Sequence, residues 1–273
     1  SSKGGVGKTT TAMMLGASIA KKGLKTCIID LDNTREGSDV ARKFGYFVVS
    51  SDPPKSIITN WVGFEERHYR SWEMVQEYVS ETPIPNLYFL SAPWNLEDGK
   101  FITAQLVEKV VNILKQHMDV IVFDLSDDLR ESNKKAMEMS ELVLYITTPD
   151  LDAVDTSCGF VRKTMAKLQF PIEKLRLVFN QVPSKMPYSL HEAAQKIGLP
   201  IFGILPEDKT LRQPRITKTL LENNILAGEY GKAIYDMVDN LFPGLKADVE
   251  TVPWYKKLFF VFTNKKVRKG VEV

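Results

Sequence analysis

Lys3-Gly4-Gly5-Val6-Gly7-Lys8-Thr9-Thr10 is the stretch of this chain that carries the most chemistry. Taken from Ser2, it fits the phosphate-loop pattern of a glycine-rich turn followed by Lys and Ser/Thr, with Ser2 standing where the first glycine is usual. Glycines let successive backbone N–H groups turn inward around a phosphate without a Cβ in the way. Lys8 supplies positive charge to the β- and γ-phosphates, and Thr9 a hydroxyl for Mg2+. A helix beginning at Thr9 or Thr10 points its positive end at the same anion. Two apolar runs also end in carboxylates. One is Cys27-Ile28-Ile29-Asp30-Leu31-Asp32; the other is Val120-Ile121-Val122-Phe123-Asp124, which fits a Walker B strand with Asp124 contacting Mg2+ through a water.

Lys3 makes the pattern more specific. The segment from Lys3 to Thr10 resembles the deviant phosphate loop of the ParA/MinD ATPases, whose extra lysine is the family signature. The resemblance implies that Lys3 reaches across a nucleotide-sandwiched dimer to the partner's phosphates. It would act there as an arginine finger does, an effect worth about 10³–10⁵ in rate. By the same match Asp32 orients the attacking water and Asp30 lies near the Mg2+ shell. The implied catalytic set is therefore Lys3, Lys8 and Asp32, and the metal set Thr9, Asp30 and Asp124. Asn180, ending the run from Leu175, matches the asparagine that hydrogen-bonds adenine, and Pro206-Glu207-Asp208 matches the loop that closes over the base. ATP and Mg2+ are the expected cofactors, since the guanine pattern is missing after Asn180, where Gln181, Val182 and Pro183 follow.

The chain departs from the family at two places. Asp124-Leu125-Ser126-Asp127 stands where many members have Asp-x-Pro-Pro, which bears on rate rather than binding. Residues 211–216 replace a small-residue helix. The resemblance spans about residues 1–242 and is loosest over 35–85. Thr147-Thr148-Pro149-Asp150-Leu151 and the helix after it look most like the CpaE/TadZ branch, associated with pilus assembly and polar localisation.

The elements that must position these groups are legible as alternating runs. Strands are expected at Thr26–Asp30, Leu87–Leu90, Val120–Asp124, 142–147, 175–180 and 201–205, each apolar on both faces as in a sheet covered on both sides. Helical periodicity falls at 12–22, 101–116, 132–139, 153–168, 189–197 and 233–241. In 101–116, for example, Ile102, Leu106, Val110, Ile113 and Leu114 form one stripe. The repeated β–α order predicts a three-layer α/β phosphate-loop fold, mostly parallel, with helices on both faces and right-handed crossovers. Residues 35–85 show no clear strand and read as an excursion with helices at 56–62 and 71–80, where Trp61 and Trp72 are packing anchors. A loop of this kind needs a central strand before it, so the first strand is expected upstream of Ser1. The expected division is an ATPase domain over 1–243 and a tail over 244–273.

Composition agrees with a globular α/β protein: 273 residues, 44% hydrophobic, 26% charged and a net charge of +2. Long disordered, collagen-like and disulfide-dense classes are excluded. With two cysteines, Cys27 and Cys158, in no ligand spacing, the expected setting is cytoplasmic. His68, His117 and His191 have no companion ligands. Charge is uneven, because Lys256, Lys257, Lys265, Lys266, Arg268 and Lys269 face only Glu272 in the last twenty residues. On a helical wheel Trp254, Leu258, Phe259 and Phe262 share an arc with Tyr255 and Val261, opposite Lys256 and Lys257. That arrangement suits peripheral contact with the inner face of a membrane. Packing of the same segment on the body or on a partner protein stays equally open, and nucleic acid comes third because the body is slightly acidic.

The expected function is a slow, partner-stimulated Mg-ATP switch ATPase that forms a nucleotide-dependent homodimer and positions or assembles cellular machinery, as in pilus assembly or MinD-like membrane-linked positioning. A ParA-like DNA partition ATPase and a nucleotide-binding scaffold with little hydrolysis are the alternatives.

Overall fold

The computed structural model describes residues 1, 3–45, 56–65, 69–212 and 228–245. Trp254, Leu258, Phe259 and Phe262, and residues 213–216, lie outside them. Elements follow in the order α1 (Lys8–Lys21), β1 (Thr26–Asp30), α2 (Asp39–Lys43), α3 (Trp72–Val75), β2 (Ser80–Glu81), β3 (Leu87–Leu90), α4 (Ala104–Leu114), β4 (Val120–Asp124), α5 (Glu131–Met139), β5 (Val143–Thr147), α6 (Leu151–Gly159), β6 (Leu175–Val182), α7 (Leu190–Ile197), β7 (Ile201–Pro206) and α8 (Glu229–Leu241). The strands form two ladders, β2-β3-β1-β4 and β5-β6-β7. Every pairing is parallel except that of β2 with β3. The expected mostly parallel, doubly covered architecture is therefore present.

Alternation along β1 explains the layers. Successive side chains in a strand point to opposite faces, so Ile28 packs with Met13, Leu15, Ile234 and Val238 from α1 and α8. Cys27 and Ile29 face the other way, toward Leu106, Val110 and Leu114 of α4 and toward Trp61. All five residues of β1 are buried in consequence. Gly16, in the middle of α1, is where helix and strand come closest: a Cβ there would lie 2.9 Å from two Ile28 side-chain atoms. In the second ladder Leu177 and Phe179 pack with Val161, Met165, Ala194 and Ile197.

Three local expectations change. The helix expected over 101–116 spans Ala104–Leu114, because the Thr103 hydroxyl accepts the Leu106 N–H at 3.1 Å and starts it there, leaving Phe101 in a preceding 3-10 turn. The helix expected over 153–168 is α-helical only to Gly159 and then widens into a π turn, Phe160–Met165. The excursion does contain a strand: β2 pairs Ser80 with Phe89 and Glu81 with Tyr88. Two residues are too short to show an alternation that a sequence could display. Within the same excursion Trp61 is fully buried and its indole N–H donates to the Tyr78 carbonyl at 3.2 Å, while Trp72 lies edge-on to Tyr88.

β4 and β5 do not pair with each other. Their residues line an apolar cavity, together with Ala12, Leu15 and Ile19 of α1 and Leu241 and Phe242 at the end of α8; Ser1, Lys8 and Asp124 also border it. Among the described residues no helix is long and apolar enough to cross a membrane.

Candidate nucleotide-binding site

Parallel strands bring their C-terminal ends to one side, where ligands of open α/β sheets bind. β1 delivers Asp30 there and β4 delivers Asp124, with the two in register opposite each other. β6 delivers Asn180. The glycine-rich loop closes on the same side. Gly7 is the N-cap of α1, at φ 92°, with no side-chain cap, and the first turn holds no acidic residue. Thr11 N–H already bonds the Gly7 carbonyl at 2.9 Å. The N–H groups of Lys8, Thr9 and Thr10 thus have no helical acceptor and suit an anion. Gly7 is required twice over, since a Cβ would also collide with the Asn180 amide nitrogen.

The two strand-end carboxylates differ in what they lack. Asp30 is fully buried and saturated: Oδ1 accepts the Asp32 N–H at 2.9 Å, and Oδ2 accepts the Ser38 hydroxyl at 2.5 Å and the Val40 N–H at 3.5 Å. Burial first, and the Asp124 charge second, push its pKa well up. Asp124 is 1% exposed and neither oxygen has a hydrogen-bond partner. Burial raises its pKa to about 7. The neighbouring Thr9 hydroxyl is near enough to oppose that shift, although it is not aligned as a made bond. Two buried, orphaned carboxylate oxygens beside a threonine hydroxyl and a lysine are a donor set for a hard divalent cation. Asp124 and Thr9 fit such a cation, whereas Asp30 braces the loop that follows it. No group of three His, Cys, Asp or Glu side chains able to hold a metal occurs among the described residues.

Asp32 is half-buried, and its Oδ1 accepts both the N–H and the hydroxyl of Thr34, at 3.1 and 2.6 Å. Lys3 lies at the surface, its ammonium 3.7 Å from Asp150, with each side chain about half exposed. Asp150 in turn caps α6 by accepting the Ala153 N–H at 2.9 Å. Asn180 is buried; it donates to the Val6 carbonyl at 2.7 Å and accepts the Gln181 N–H at 2.9 Å. A second amide hydrogen and a second lone pair on the oxygen are left for a base. Pro206 ends β7, and the Glu207 N–H donates to Val182 at 2.8 Å, which fastens the Pro206-Glu207-Asp208 loop beside the end of β6. The sequence reading missed four supports of this site: Ser38, Thr34, Asp150 and Gln181. A Ser one residue before a helix and a Thr two residues after an Asp are readable cap and turn signals. Asp150, one residue before α6, is a cap signal of the same kind; nothing local marks Gln181.

Residues 1–219 match the sequence profile described as the CobQ/CobB/MinD/ParA nucleotide binding domain. The chain belongs to this family. Among relatives of the family, it is 25% identical over 213 residues to the septum site-determining protein MinD of Bacillus subtilis (strain 168), covering 76% of this chain and 74% of that protein. Among solved structures, MinD from Pyrococcus horikoshii OT3 complexed with Mg-ADP superposes with a TM-score of 0.68 at 18% identity, over 89% of this chain and 93% of that one. A ParA family ATPase from Chlorobium tepidum TLS gives 0.70 at 17% identity, over 86% and 93%. These two likenesses are of fold. Membership of the CobQ/CobB/MinD/ParA family accounts for the glycine-rich loop standing before α1.

Proposed function

We propose that this protein is a Mg-ATP-dependent switch ATPase of the positioning kind, with ATP bound at the loop of Gly4, Gly5, Val6, Gly7, Lys8, Thr9 and Thr10. The observation that carries the reading is Asp124: two buried oxygens without partners, facing Thr9 and Lys8 at the mouth of an uncapped helix. A carboxylate kept in that condition costs stability unless a cation completes it. The MinD structure with Mg-ADP, similar in fold, supports the choice of ligand.

Bound Mg2+ would draw negative charge off the transferring phosphate. The remaining work belongs to this chain's residues. Lys8 and the free N–H groups of α1 hold the phosphates, and Asp32, steadied by Thr34, accepts a proton from the attacking water. Asn180 and the 206–208 loop lie on the side of the base. Lys3 reaches the phosphates of a second copy in a nucleotide-dependent homodimer, and its position at the surface supports that reach. Hydrolysis then ends the dimer, so turnover times an assembly, with a protein partner setting the rate.

Residues 1–243 form the ATPase domain in this reading, and 244–273 a basic, aromatic tail for a membrane or a partner, in the cytoplasm. The pilus-assembly branch is a narrower reading supported by residues 147–151 alone. The test is calorimetry and phosphate release with Mg-ATP. Saturable binding lost in Lys8→Ala, with turnover lost but binding kept in Asp32→Ala, is the expected result. Unchanged ATP affinity in Lys8→Ala would overturn it.

A further inference from the structure

Three non-glycine residues among those described have positive φ, and two have ordinary reasons. Asn86 lies in the turn before β3 and Gln169 follows the helical segment that began as α6. Gln181, at φ 59°, lies inside β6, where neither a turn nor a helix cap explains it. A left-handed residue within a strand is a cost that persists only where surrounding structure enforces it, most often at functional sites. The register of β6 against β7 slips at the same place, between Phe179 and Val182.

The slip has a geometric result. Side chains of consecutive strand residues normally point to opposite faces, and a bulge re-aims one of them. Here Asn180 and Gln181 both reach the phosphate loop. The Asn180 amide donates to the Val6 carbonyl at 2.7 Å and the Gln181 amide to the Gly5 carbonyl at 3.1 Å. A trans peptide holds each carbonyl antiparallel to the N–H of the next residue. Fixing the Gly5 and Val6 carbonyls toward β6 therefore turns the Val6 and Gly7 N–H groups away from it.

We infer that Gln181 is a positioning residue for the nucleotide's phosphates: with Asn180 it forms a two-amide clamp that holds the loop's N–H groups ready for a diphosphate before one arrives. The inference rests on the nucleotide-binding reading above. It gives Gln181 a task separate from the base, although it neighbours the asparagine matched to adenine recognition.

The test measures ADP and inorganic pyrophosphate binding to the full chain by calorimetry, with melting temperatures in parallel. Gln181→Ala should weaken both ligands by about three- to tenfold, the scale of one hydrogen bond. Gln181→Asn is the sharper variant. Asparagine tolerates the left-handed backbone better, so the melting temperature should hold or rise, but its stem is one methylene short of Gly5 and the affinity should still fall. A purely structural role predicts the reverse for this variant, with affinity kept or improved, and that result would overturn the clamp. So would a loss confined to ADP, which would move Gln181 to the nucleoside end. Wild-type chain that binds neither ligand would remove the nucleotide reading along with the clamp, whereas normal wild-type binding beside an unchanged Gln181→Ala would remove the clamp alone.

Discussion

Asp30 and Asp124 are register partners on adjacent parallel strands, both buried, yet every hydrogen bond their carboxylates receive from the segment after β1 goes to Asp30. The asymmetry separates a residue that braces the fold from one whose carboxylate oxygens are left without partners.

It also sets a pH dependence. A carboxylate whose pKa rises on folding holds its proton more tightly in the folded chain. Without Mg2+ and nucleotide, stability should increase as pH falls from about 7, the value for Asp124, toward the ordinary carboxylate range. Each unit of pKa corresponds to about 1.4 kcal/mol. Asp124→Asn should flatten this dependence and raise the melting temperature at pH 7.5 while abolishing Mg2+-dependent nucleotide binding. Thermal melts across pH 5–8, with and without Mg2+, check both effects, and an Asp124→Asn chain melting lower at pH 7.5 would count against the assignment.

Gly7→Ala should be among the most damaging single-methyl changes in the loop. It combines a left-handed backbone with a collision against Asn180. The backbone strain alone is worth about 1–3 kcal/mol. Expected is a chain that folds, melts lower and binds ADP at least tenfold more weakly; wild-type affinity by calorimetry would mean that the loop is not held by Asn180.

Thr34→Val removes the hydroxyl but keeps the backbone N–H that also serves Asp32. With about 0.5–1.5 kcal/mol at stake, kcat for ATP should drop roughly two- to tenfold with KM unchanged, and Thr34→Ser should restore it. A change in KM instead would place Thr34 in binding.

The Lys3–Asp150 pair is exposed and worth about 1 kcal/mol at most, so Lys3 is readily released to another partner. Asp150→Asn should leave ATP affinity within about threefold of wild type. Lys3→Ala should keep ATP binding and lose turnover by a factor on the order of 10³, if Lys3 acts as such fingers do. Equal turnover in Lys3→Ala, measured by phosphate release, would refute action across a dimer.

The parts of the fold that could be read in advance are those encoded by neighbours in sequence. Strand runs such as Val120–Asp124 are apolar on both faces because helices cover both faces, and the stripe from Leu106 to Leu114 is one side of one helix. The glycine–lysine–threonine loop is likewise a local signal. What escaped is encoded between distant segments. Gln181 meets Gly5, and Lys3 meets Asp150, through the way β6 and α6 are placed against the loop. Residues 80–81 become a strand only because Tyr88 and Phe89 lie beside them. The π turn after Gly159 has no periodicity of its own to betray it.

Asn180 and Gln181 fasten the phosphate loop to the end of β6 through the Val6 and Gly5 carbonyls. Loop and strand end are thereby one mechanical unit. Whatever stiffens that junction should tighten the grip on a nucleotide, and by reciprocity a bound nucleotide should stiffen the junction.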